Sequence, residues 1–212
     1  MAFIQFHSVG PKTSLTGPTA AEFQQGEPFE VEAFAIVGVL DNGNSTATVL
    51  FIDGALVTFE DYDAVLDLIY GEGIPDQATY GPVLDNSVLS FRLYGSPNRI
   101  TGQVLAGPRG CMNIGTISLI RQDPNGAVLI TSYFTTVRAL GTYAQFDDVI
   151  GGSFLTVPII KQNLISGDVA LLSGAAVSVT PFGDGHSKVS YIGGGSILCE
   201  GTPAQVAIIL ED

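Results

Sequence analysis

The chain has 212 residues, 46% of them hydrophobic and only 14% charged, with 21 acidic and 8 basic side chains and a formal charge of −13. So apolar a chain excludes intrinsic disorder, and its length can bury one large core or two small ones without disulfide staples. Eight basic residues scattered among more numerous carboxylates lack the clustering that grips a phosphate backbone, so nucleic acid is not an expected partner.

Residues 1–28, punctuated by Pro11, Pro18 and Pro28, read as an N-terminal arm with one short strand. The apolar start is broken by Gln5 and His7 and has no basic flank, which predicts no secretory signal. No apolar window reaches the length of a membrane span, so no membrane partner is expected either. Phe3, Phe6, His7, Pro11 and Lys12 of the arm, with Arg109 further on, are the candidate interface residues.

Alternation and β-branched residues predict strands over 29–40, 46–59, 87–94, 114–121, 127–137, 154–160, 168–172, 176–180, 188–192 and 205–210. Asp41-Asn42-Gly43-Asn44 and Asp123-Pro124-Asn125-Gly126 are hairpin turns, since Asn and Gly supply the positive φ that tight turns need. One segment, 61–70, reads as helix, with Asp61 as cap and Val65, Leu66 and Ile69 on one face. Residues 144–151 suggest a shorter helical turn, and Thr202-Pro203 offers a helix start that competes with the last strand. The expected class is all-β and mainly antiparallel, as a sandwich, a jelly roll or a barrel.

The chain also matches itself. Thr58-Phe59-Glu60-Asp61-Tyr62-Asp63-Ala64-Val65-Leu66 aligns with Thr142-Tyr143-Ala144-Gln145-Phe146-Asp147-Asp148-Val149-Ile150 at an offset of 84. Asn42-Gly43 aligns with Asn125-Gly126 at 83, and Tyr94-Gly95 with Phe182-Gly183 and Cys111 with Cys199 at 88. This ordering suggests a tandem duplication, with β units at 29–112 and 113–212 following the arm at 1–28.

Groups for chemistry are sparse, and no catalytic constellation is predicted. His186 lies in Gly183-Asp184-Gly185-His186-Ser187, where neighbours on one turn cannot form a nucleophile-base-orienter chain. Gly193-Gly194-Gly195-Ser196 lacks the Lys of a phosphate loop and reads as a bulge or corner. Cys111 and Cys199 have no metal-ligand spacing and read as buried thiols. Asp61, Asp63 and Glu72 fit positions 1, 3 and 12 of a calcium loop, but Val65 and Leu66 occupy positions 5 and 6, which excludes an EF-hand. A looser calcium site at Asp61 and Asp63, or at Asp41, Asn42 and Asn44, is the one cofactor the sequence leaves open.

Three lysines, Lys12, Lys161 and Lys188, are too few to guard exposed strand edges, so homo-oligomerisation is expected. In its Gly-rich, Lys-poor, acidic composition the chain resembles structural proteins of tailed bacteriophages and other viruses, such as capsid decoration or cement proteins and tail components. The resemblance spans the whole chain and rests on composition. It implies a non-enzymatic, self-associating protein that is made in the cytoplasm, contacts other structural proteins and resides in the virion. A charge of −13 would repel a packaged genome, which favours an outer position. Competing readings are a β module binding carbohydrate or another cell-surface ligand, and a small-molecule-binding barrel or carboxylate-based enzyme; a cytoplasmic location goes with these.

Overall fold

Apolar strands separated by short polar turns give a mostly antiparallel β structure with three short helices, as a computed structural model of the chain shows. It describes residues 2–10, 24–73, 78–79, 81–133, 135–150, 154–158, 168–172, 174–183 and 185–211. The first hairpin is β1 (Phe3–Val9) with β2 (Gln25–Glu32). A 3₁₀ turn (Ala33–Ala35) leads into β3 (Ile36–Asp41), β4 (Ala47–Phe51), β5 (Gly54–Thr58) and α1 (Tyr62–Tyr70). After β6 (Val83–Asp85) comes a second hairpin, β7 (Val88–Pro97) with β8 (Val104–Asn113). Another 3₁₀ turn (Ile114–Thr116), equivalent to the one at Ala33–Ala35, leads into β9 (Ile117–Gln122), β10 (Ala127–Ser132), β11 (Thr135–Leu140) and α2 (Tyr143–Ile150). The third hairpin is β12 (Phe154–Pro158) with β13 (Asp168–Leu172), followed by β14 (Ala176–Pro181), β15 (His186–Tyr191), β16 (Ser196–Glu200) and α3 (Pro203–Glu211).

Three strands and a helix therefore recur three times, and the hydrogen-bond registers coincide. β3 pairs β4 through Ile36↔Phe51 and then Gly38↔Leu50, β9 pairs β10 through Ile117↔Ser132 and Leu119↔Thr131, and β14 pairs β15 through Ala176↔Tyr191 and Ser178↔Ser190. Each first strand skips one residue at the same place, a β-bulge that bends the strand and increases its twist. Numbers advance by 81 from the first unit to the second and by 59 to the third. The turns match as well: the N–H groups of Asn42, Asp123 and Phe182 donate to the carbonyls of Thr46, Ala127 and His186. The residue before each acceptor has positive φ, at 61° for Ser45, 90° for Gly126 and 75° for Gly185, the geometry of a three-residue hairpin loop. Structural equivalence thus runs at 81, three residues away from the motif offset of 84. Cys111 and Cys199 are not equivalent, because Cys111 lies on a hairpin strand and Cys199 on the third strand of a unit.

Hairpins stitch the units into an array. β8 pairs with β3 through Gly38↔Met112, Val39↔Cys111 and Leu40↔Gly110. β13 pairs with β9 at the equivalent positions, Leu119↔Leu171, Ile120↔Ala170 and Arg121↔Val169. Single bridges, Ser8↔Thr58 and Ala139↔Leu93, join β5 to β1 and β11 to β7, and β16 lies against β12. The array has two ends, β2 and β14, whose outer edges pair with no strand among the described residues. Each unit has its own core. Val49, Ile130 and Val189 are fully buried at equivalent strand positions, and Val65, Phe146 and Val206 on the helices above them. Among the described residues no helix is long and apolar enough to cross a membrane.

Two sequence expectations need correction. The strand expected over 205–210 is α3, and the turn expected over 144–151 is the eight-residue helix α2. The reason is a capping box used twice: Gln145 Oε1 accepts from the Thr142 N–H at 2.9 Å, and Gln205 Oε1 accepts from the Thr202 N–H at 2.9 Å. The first unit uses Asp61 instead, whose carboxylate accepts from the Ala64 N–H at 2.9 Å, as the sequence predicts.

Gly38 sits where β8 crosses β3, and a Cβ there would collide with the Cys111 carbonyl oxygen in the middle of a ladder. Gly38→Ala is expected to cost about 2 kcal/mol, read as a lower urea midpoint. Gly73→Ala, where an added Cβ meets nothing within 4 Å, is expected to stay within about 0.5 kcal/mol of wild type.

Candidate functional site

Two of the acidic candidates, Asp41 and Asp63, gather around one guanidinium. Arg109 on β8 makes a forked contact to Asp63 on α1, Nη1 to Oδ1 at 2.8 Å and Nη2 to Oδ2 at 3.0 Å. Its Nε lies 3.5 Å from Asp41 Oδ2 at the end of β3. The guanidinium carbon stacks 4.6 Å from the centre of the Tyr62 ring, a cation–π contact. Hydrogen bonds to Asp63 chiefly hold the Arg109 pKa above its ordinary value. The carboxylates of Asp41 and Asp63, the calcium candidates, thus face the Arg109 guanidinium. Asn42 and Asn44 turn inward on the loop: Asn42 Nδ2 donates to Thr46 Oγ1 at 2.9 Å, and Thr46 Oγ1 donates to Asn44 Oδ1 at 2.7 Å. Asp61 is spent on capping α1. Among the described residues no group of three His, Cys, Asp or Glu side chains could hold a metal ion.

The arm residues separate. His7 Nδ1 lies 2.7 Å from Glu60 Oε1, and the His7 backbone N–H donates to the same carboxylate at 3.1 Å, which ties the first hairpin to its unit. Phe6 is fully buried, with its ring centre 5.7 Å from that of Phe29, so this interface candidate belongs to the first core. Phe3 is exposed. Pro11 and Lys12 lie outside the described residues. A second clamp, missed in the sequence, ties the second hairpin to the second unit. The Tyr94 hydroxyl donates to the Asn125 carbonyl at 2.6 Å, and Arg138, 5.1 Å from the Tyr94 ring centre, bonds Asp123 at 2.9 Å.

Beneath the Arg109 clamp, the Tyr62 hydroxyl is hydrogen-bonded to the Cys111 thiol. Burial pushes the Tyr62 phenol up and raises the Cys111 thiol to about 11, partly offset by its hydrogen bonds to Tyr62 and the Val39 backbone. Burial alone raises Cys199 to about 11. A thiol held protonated and out of solvent is a packing group, not a nucleophile.

Besides exposed charged and polar residues, the surface carries several exposed large apolar side chains. Ile100 is 94% exposed at the tip of the second hairpin, flanked by exposed Leu105. The tip is held in shape: Asn98 Oδ1 accepts from the N–H groups of Ile100 at 2.8 Å and Thr101 at 3.1 Å, and the Gly102 N–H donates to the Asn98 carbonyl at 2.8 Å. The sequence signal for it was a lone Ile inside Asn98-Arg99-Ile100-Thr101-Gly102, a turn that has no core to fill.

No protein-family model and no curated protein matches this chain. Among solved structures, it is similar to a domain described as the LytTr DNA-binding domain of a response regulator from Bacillus cereus, at 9% identity and a TM-score of 0.38, over 60% of this chain and 98% of that one.

Neither thiol is expected to react with a disulfide reagent at pH 8 in the native protein, and both should react in denaturant. Stability should also fall with alkali. Unfolded thiols ionise near pH 9 and the buried ones only near 11, so the unfolded state gains from deprotonation first as pH rises. Urea midpoints from pH 7 to 11 check the sign: constant below about 9 and declining above it.

Proposed function

We propose that the protein is a non-enzymatic component of a virion exterior, a capsid decoration or tail component that works by surface contact. The observation that carries this reading is the preformed hairpin tip with Ile100 94% exposed. A side chain of that kind stays in water at a cost of about 1.5–3 kcal/mol relative to full burial. Turn hydrogen bonds have already fixed its shape, so a partner that covers it gains the burial with little ordering entropy left to lose. Supporting features are the charge of −13, which suits a place away from packaged nucleic acid, and the arginines and acids engaged in internal clamps. The partners in this reading are other structural proteins of the same particle.

The test is co-sedimentation of the purified protein with particles specified by the structural genes neighbouring its own. Wild type should pellet with the particles, and the Ile100→Asp, Leu105→Asp double variant should bind at least about tenfold more weakly with an unchanged melting profile. A gene without capsid or tail neighbours, or a wild-type protein that stays in the supernatant, would sink the reading.

A further inference from the structure

The third unit departs from the other two at two positions where equivalence predicts agreement. The bulge residue of the first strand is 1% exposed as Val37 and 3% exposed as Ser118, but 68% exposed as Val177. The outward helix position is an exposed aspartate in two units, Asp67 on α1 and Asp148 on α2. On α3 the equivalent residue is Ile208, 63% exposed. α3 packs on β14, so both departures fall on one end of the molecule. β3 is covered by β8 and β9 by β13, whereas no strand among the described residues covers β14.

We propose that β14 and α3 form a two-fold contact with a second copy of this chain, in which the two β14 strands pair antiparallel and cover each other's edges. The inference rests on the assembly reading above and names one of its contacts. Internal precedent would suggest β2 of another copy, the strand equivalent to β8 and β13. Its chemistry does not fit. The shared register would set Glu30 opposite Val179, where Cys111 stands opposite Val39 and Ala170 opposite Ile120. A carboxylate there would be desolvated without a partner. Glu27, Pro28 and Glu32 accompany it on β2, and acids and proline are the residues that keep an edge from pairing.

β14 has the opposite character. Ala176–Pro181 carries no charge, alternates Val177 and Val179 with Ser178 and Thr180, and keeps its only proline at the last residue. Two such strands meeting about a two-fold axis oppose no like charges, and an isologous contact closes at two copies. The same axis would bring the apolar face of α3 near its mate, with Ile208 placed where the other units carry Asp67 and Asp148.

Size-exclusion chromatography with light scattering on the full chain tests the contact. Wild type is expected to run as a dimer, and Val177→Lys with Ile208→Asp as a monomer, with self-association weakened at least about tenfold and an unchanged far-UV spectrum. Both positions are exposed, so the fold should tolerate the changes. Ile100→Asp with Leu105→Asp should leave the dimer intact. A wild-type monomer overturns the inference, as do assemblies larger than two or a dimer that survives Val177→Lys with Ile208→Asp. A dimer that fails to bind particles sinks the virion reading and leaves the contact standing.

Discussion

One constraint underlies the architecture: a three-stranded unit with one helix leaves the outer edge of its first strand unpaired. In the first two units the strand that pairs this edge comes from the hairpin of the next unit. β8 lies between two cores, with Cys111 in the first cluster and Met112, its chain neighbour, in the second. β7 does the same with Val88 and Leu89, and β4 with Val49 and Leu50. A sheet buried on both faces has no side available for polar residues. The 14% charged fraction, which reads at first as a surface short of charge, thus also reflects a wall with cores on either side.

Polar side chains are spent where hairpin meets unit. Arg109 reaches from the second hairpin to Asp41 and Asp63 of the first unit, Tyr94 and Arg138 join the second hairpin to the second unit, and His7 holds the first hairpin to Glu60. Each clamp spans segments distant in sequence, so its partners could not be paired from spacing. Asp41, Asp63 and Arg109 were all singled out in the sequence, the first two for a cation and the third for a partner. Only the fold brings them together and makes the arginine the counter-ion.

Local signals were legible and long-range ones were not. The turn residues at 41–44 and 123–126 and the Asp61 cap act within a few residues, and the structure places hairpin turns and the cap there, with Gly43, Ser45 and Gly126 at positive φ. A strand over 205–210 and a helix from Thr202-Pro203 compete in the sequence because apolar residues fill most of 204–210, leaving no period to separate strand from helix. The decisive residues were Thr202 and Gln205, which repeat Thr142 and Gln145. In residue types the repeat runs at 84, whereas the structural equivalence resides in ladder register and bulge position, which different side chains satisfy equally well. Phe6 reads as an interface candidate because it lies in the proline-punctuated stretch 1–28, yet the pairing of β1 with β2 turns it into the first core.

Shared walls also bear on how the protein comes apart. Because neighbouring residues of β8 belong to different cores, loosening the first unit strips the second of one side, and the two should open as a single cooperative block. The third unit contributes one wall but receives no strand on β14 from within the chain. In a single copy its amides should therefore exchange before those of the shared block, and pairing β14 with a second copy would remove that weak point.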